Sequence, residues 1–151
     1  MTLIECRGLA RTYRRGSEEI TPLDDLDLDI ESGQFVALMG PSGSGKTTLL
    51  NLIGGLDNPT SGTLTIEDQE LSSLSPANLG DLRRDRLGFV FQSYNLVPVL
   101  TAVENTEMVL LLQGMGADER RARAMETLKN VGLEGMEHRR PSELSGGQQQ
   151  R

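Results

Sequence analysis

The sequence predicts an α/β fold, and three observations carry that prediction. Residues 23–33, LDDLDLDIESG, alternate apolar and acidic side chains with the period of a strand that has one wet face. Residues 35–53 run from a short apolar stretch, FVALM, through a glycine-rich loop into the apolar stripe of KTTLLNLI, which reads as strand, loop and helix in succession. Beyond residue 100 the period changes from two to three or four, the mark of helices.

Each element has its own signal. Leu26, Leu28 and Ile30 alternate with Asp27 and Asp29, and a Ser-Gly turn closes that strand. FVALM has no polar partner positions, so it reads as a strand buried on both faces of a mostly parallel sheet. The next helix carries Leu49, Leu50, Leu52 and Ile53 on its stripe and stops at Gly54-Gly55. TSGTLTIED, 60–68, is a turn into a second alternating strand; SPANLGDLRRDR is a short exposed helix; LGFVFQ, 87–92, is another buried run. Thr101 and Glu104 form a capping box at the head of a helix. ADERRARAMETLKNVGL starts a further helix on Asp118, presents Ala122, Met125, Leu128 and Val131, and stops at Gly132. Internal repeats and linkers rich in Pro, Gly or Ser are absent, so residues 1–95 and 96–151 read as the core and the helical subdomain of one domain.

Composition narrows the class. A hydrophobic fraction of 36%, with 3% aromatics and 17 glycines, fits a soluble α/β chain better than a disordered one. The net charge is -7, and the arginines are dispersed rather than gathered in a basic stripe, which argues against a nucleic-acid partner. Cys6 stands alone, so it reads as a small buried hydrophobe in a reducing compartment. The longest apolar runs, such as MVLLL at 108–112, fall far short of the roughly 20 residues that span a bilayer.

The chemistry is concentrated in GPSGSGKT, Gly40 to Thr47, which matches the P-loop pattern G-x-x-x-x-G-K-[ST]. A triphosphate crowds several negative oxygens together and needs many donors at once, from backbone N–H groups that glycine lets come close and from a helix N-terminus behind them. Across Gly40, Pro41, Ser42, Gly43, Ser44 and Gly45 the backbone wraps the phosphates. Lys46 reaches the β and γ phosphates, the Thr47 hydroxyl ligates Mg²⁺, and Thr48 lies toward the α phosphate. The pattern arises by chance in about half a percent of chains of this length at average composition, and the strand before it and helix after it supply the required context. A GTPase would add Asn-Lys-x-Asp, and the chain contains no Asn-Lys pair.

Together with this loop, LSGGQ at 144–148 resembles the signature of the ATP-binding cassette (ABC) ATPases. The resemblance implies that ATP and Mg²⁺ are bound, with Lys46 and Gln92 in the catalytic apparatus and Thr47 and Gln92 on the metal. Gln92 stands where the family has its Q-loop, and Tyr13 where it has the aromatic that stacks on adenine. The stretch FVFQSYNLVPVLTAVEN is similar to the lipoprotein-release and macrolide-export branch. In that family two cassettes face head to tail, so Ser145, Gly146, Gly147 and Gln148 of one would close on the ATP held by the other. Integral membrane permease subunits would be the further partners, with the cassette peripheral on the cytoplasmic face of the cell membrane. The Ser-Gly-Gly step reads as a helix start at about Ser145, not as a polar tail.

The family pattern also calls for a Walker B strand ending in Asp-Glu and for a switch histidine after the signature. Neither occurs in these 151 residues; His138 precedes the signature and reads as a solvated loop residue. The chain is therefore expected to be truncated, to leave an apolar edge beside FVALM, and to bind nucleotide without turning it over. Two alternatives remain open: a non-catalytic nucleotide-binding module, and a soluble ABC-type protein without membrane partners.

Overall fold

The computed structural model describes residues 1–151, apart from the side chain of Arg15. The chain divides into two compact units, Met1–Arg83 and Arg84–Arg151. The first is built on a four-stranded antiparallel sheet in the order β2-β1-β3-β4, with β1 at Thr2–Arg15, β2 at Glu18–Glu31, β3 at Ser61–Ile66 and β4 at Gln69–Glu70. On β2 the predicted alternation holds: Leu26, Leu28 and Ile30 are half-buried while Asp27 and Asp29 are exposed. In the middle of the sheet Cys6 pairs with Leu28 on one side and Leu64 on the other, and the register shifts between Cys6 and Leu9 on the β2 side. An extra residue of this kind bends a long strand and deepens its twist, which lets 14-residue strands curl over a small core.

Cys6 is fully buried, as expected, and burial pushes its thiol up to about 11. The thiolate is the reactive form. A maleimide at neutral pH should therefore label Cys6 only after denaturant is added; rapid labelling of the native protein would contradict its place in the sheet.

One helix and most of a second belong to this unit. α1 (Lys46–Ile53) buries Leu49 and Leu52, whereas Leu50 is 57% exposed, so its apolar stripe is narrower than predicted. α2 (Pro76–Arg86) buries Leu79 and Leu82, making it a half-buried helix and not the exposed one expected. The largest correction concerns FVALM. Residues 35–39 are not a strand, and Phe35 is 100% exposed. A strand buried on both faces of a parallel sheet exists only between neighbours that take its N–H and C=O groups, and no described residue pairs with this run.

The second unit is helical. Residues 87–92, which follow α2, form no strand either, and Val90 is 88% exposed, for the same reason. α3 (Ala102–Leu112) begins with the predicted capping box: the Thr101 N–H donates to Glu104 Oε2 at 2.7 Å, and the Glu104 N–H donates to Thr101 Oγ1. Its next N–H groups, which no helical carbonyl can reach, donate to Arg139 O from Ala102 and to Glu137 O from Val103. α4 (Ala117–Asn130) turns Ala124 and Leu128 inward; of the predicted face Leu128 is buried and Met125 and Val131 lie beside it, whereas Ala122 is exposed and Ala124 takes its place. These side chains pack with Val103, Leu133 and Leu144, and Met125 and Val131 flank them. α5 (Gly146–Gln150) closes the unit. No helix of the described residues is long and apolar enough to cross a membrane.

Candidate functional site

The glycine loop enters α1 through Gly45, which holds φ +85° at the helix N-cap. A Cβ there would lie 2.4 Å from the Pro22 carbonyl oxygen and 3.1 Å from Leu23 Cδ2, so only glycine lets the loop seat against β2. Beyond it the first turn of α1 leaves its N–H groups without helical acceptors, and no acidic residue in that turn competes for them. The Lys46 ammonium donates to Gly40 O at 2.8 Å, Pro41 O at 2.6 Å and Ser44 Oγ at 3.1 Å, which fixes a positive charge against the loop. Gly43, Ser44, Gly45, Lys46, Thr47 and Thr48 line a cavity of about 280 Å³, and Tyr13 of β1, with Ile20 and Pro22 of β2, completes its lining. The structure thus brings Tyr13 to the predicted phosphate loop across 30 residues of sequence.

Tyr13 is itself held. Its hydroxyl donates to Asp57 Oδ2 at 2.7 Å, and the Arg11 guanidinium lies 4.6 Å from its ring centroid. Arg11 grips the same carboxylate with two bonds, Nε to Oδ2 at 2.9 Å and Nη2 to Oδ1 at 2.7 Å. Burial alone would raise the Asp57 carboxyl; the bonds from Tyr13 and the Asn58 N–H, with the Arg11 charge, outweigh it and hold the group below its ordinary range. Neither Arg11 nor Asp57 was singled out in the sequence. Period-2 spacing puts Arg11 on the face of Tyr13, but no local pattern points to Asp57.

The remaining predicted residues lie in the second unit. Gln92 sits exposed in a bend after Phe91. Ser145 is the N-cap of α5 in a reciprocal arrangement: its N–H donates to Gln148 Oε1 at 2.8 Å and its Oγ accepts from the Gln148 N–H at 3.3 Å. The Ser-Gly-Gly step is therefore a helix start, as predicted. Gly146 is packed so closely that a Cβ would lie 2.8 Å from Tyr94 Oη, and Gln150 Nε2 donates to Phe91 O at 3.3 Å. His138 is exposed in a turn, as expected.

Residues 23–151 match the family model described as ABC transporter. The chain belongs to the ABC transporter family. Among relatives of this ABC-family chain, the lipoprotein-releasing system ATP-binding protein LolD of Chromohalobacter salexigens is 47% identical over 149 residues, covering 99% of the chain and 63% of LolD. The macrolide export ATP-binding/permease protein MacB of Rhodopseudomonas palustris is 50% identical over 148 residues, 98% of the chain and 23% of MacB. The solved dimer of the ATP-binding cassette MJ0796 bound to ADP and Pi superposes with a TM-score of 0.89 at 45% identity, over 97% of the chain and 65% of that cassette. The chain thus spans less than two thirds of the length of each of these proteins. Both the family and its lipoprotein-release and macrolide-export branch agree with the resemblance drawn from the motifs.

Proposed function

We propose that the chain is the ATP-binding part of an ABC transporter cassette, and that its 280 Å³ cavity holds the nucleotide. One observation carries this reading: a tyrosine and a glycine loop with a lysine line one cavity of that size. The triphosphate would lie on the loop from Gly40 to Gly45 and on Lys46, with Thr48 toward the α phosphate and the base against Tyr13. Mg²⁺ fits the donor set. Among the described residues no group of three or more His, Cys, Asp or Glu could hold a metal by itself; Mg²⁺ in phosphate sites takes few protein ligands and completes its shell with phosphate oxygens and water. Thr47, which lines the cavity, would supply one such ligand through Oγ1; the family resemblance assigns Gln92 as another, and the ion would neutralise charge on the phosphates. Lys46 and Gln92 would serve hydrolysis by charge stabilisation and by orienting water.

The MJ0796 structures are dimeric, and LolD and MacB are parts of a releasing system and an export permease by name. These likenesses support a second cassette as partner, with Ser145, Gly146, Gly147 and Gln148 closing on its nucleotide, and membrane permease subunits as the driven parts. A cytoplasmic, membrane-peripheral location follows from those partners, and the segments 1–95 and 96–151 would act as nucleotide core and signature-bearing arm. Within 1–151 no Asp-Glu pair follows an apolar strand, so these residues alone should bind ATP and release no phosphate above a background control.

Calorimetric titration tests the reading. Mg-ATP should bind, and Tyr13→Ala should weaken binding by about 1–3 kcal/mol, the range of base–aromatic stacking. Unchanged affinity in Tyr13→Ala would remove the base from Tyr13.

A further inference from the structure

The Arg11–Tyr13–Asp57 cluster lies behind the cavity wall. Tyr13 lines the cavity; Arg11 and Asp57 do not. Arg11 and Asp57 are nonetheless only 23% and 22% exposed, and they make a two-pronged ion pair, a geometry that specifies orientation as well as energy. Asp57 meets both the guanidinium that lies on the Tyr13 ring and the hydroxyl at the ring's far end. A phenol fixed at its hydroxyl and covered on its ring has lost the torsional freedom that an exposed tyrosine keeps.

Asp57 is also tied to the helix that follows the phosphate loop. The Leu56 and Asp57 N–H groups both donate to Asn51 O, at 2.8 and 3.3 Å, so the backbone that carries the carboxylate is tied to the last turn of α1. The N-terminus of the same helix emerges from the glycine loop. One rigid element therefore connects the loop to the clamp on the ring.

We propose that Arg11 and Asp57 are positioning residues for the base end of the cavity: they lock the Tyr13 ring at a set distance from the glycine loop, so that a purine base and its triphosphate are engaged together. The proposal rests on the nucleotide reading above. Tyr13→Phe keeps the stacking face but cuts the hydroxyl from Asp57, and so is not silent.

Binding of Mg-ATP and of Mg-tripolyphosphate, which has no base, separates this role from mere structural support. Asp57→Ala should lower ATP affinity about five- to tenfold and change tripolyphosphate affinity by less than about twofold, because the base–aromatic contact alone is loosened. In a Tyr13→Ala background the same Asp57→Ala change should have no further effect on ATP, the coupling expected of residues that act through one another. If Asp57→Ala does not fold, Tyr13→Phe carries the test, with an ATP loss of about two- to threefold and none for tripolyphosphate. Parallel loss of both ligands, loss of neither, or an Asp57 effect that persists without Tyr13 would overturn the proposal. If Lys46→Ala leaves both ligands bound as in the parent, the nucleotide reading itself fails, and the clamp's role with it.

Discussion

Lys46→Ala should abolish the stabilisation of the protein by Mg-ATP. Ligand at a hundred times its dissociation constant raises folding stability by about 2.7 kcal/mol, and the variant should show none of it. The reason lies in the loop: the ammonium is held by Gly40 O, Pro41 O and Ser44 Oγ against the cavity, where it is the positive side chain among the lining residues. Charge-assisted bonds to phosphate are about twice as strong as neutral ones, and methyl cannot replace them. Without nucleotide the variant should melt within about 1 kcal/mol of the parent, because the three oxygens are solvent-accessible and water can take the place of the lost donor. Thermal melts with and without Mg-ATP check both halves, and equal ATP shifts in parent and variant would remove the phosphates from this loop.

Gly45→Ala should be the more damaging change to the fold, at about 2–5 kcal/mol, the sum of a strained left-handed residue and a backbone clash. Gly45 has φ +85°, and its added Cβ would sit 2.4 Å from the Pro22 carbonyl oxygen. Relief requires α1 to move off β2, which disturbs a cavity that both Gly45 and Pro22 line and should weaken ATP binding as well. Gly43→Ala provides the control, since Gly43 has nearly the same angle, φ +82°, with nothing within 4 Å of its Cβ position. It should cost only the strain, about 1 kcal/mol. Denaturant titration of the two variants should therefore rank Gly45→Ala clearly below Gly43→Ala; equal midpoints would mean that the loop does not seat against Pro22.

What the sequence determined alone is what depends on near neighbours along the chain. The capping boxes at Thr101 and Ser145 follow from side chains three residues apart reaching each other's backbone. Gly40 to Gly45 turns into the glycine loop that precedes α1 because glycine permits the positive φ angles at Gly40, Gly43 and Gly45. The alternation on β2 and the burial of Cys6 were legible for the same local reason. The family resemblance too rests on short runs, GPSGSGKT and LSGGQ, and the matched residues 23–151 agree with it.

Only tertiary structure decided the rest. An apolar run such as FVALM carries the composition of a buried strand, but a strand is made by partners, and Phe35 and Val36 are exposed because none of the described residues supplies one. The face of α4 that turns inward, with Ala124 in place of Ala122, depends on where Val103 and Leu144 arrive. Asp57 has no motif of its own; it becomes part of the candidate site because the end of α1 brings its carboxylate to Arg11 and Tyr13, 46 and 44 residues away. Local patterns are set by bonded geometry within a few residues, whereas burial and long-range ion pairs depend on which surfaces the folded chain brings together.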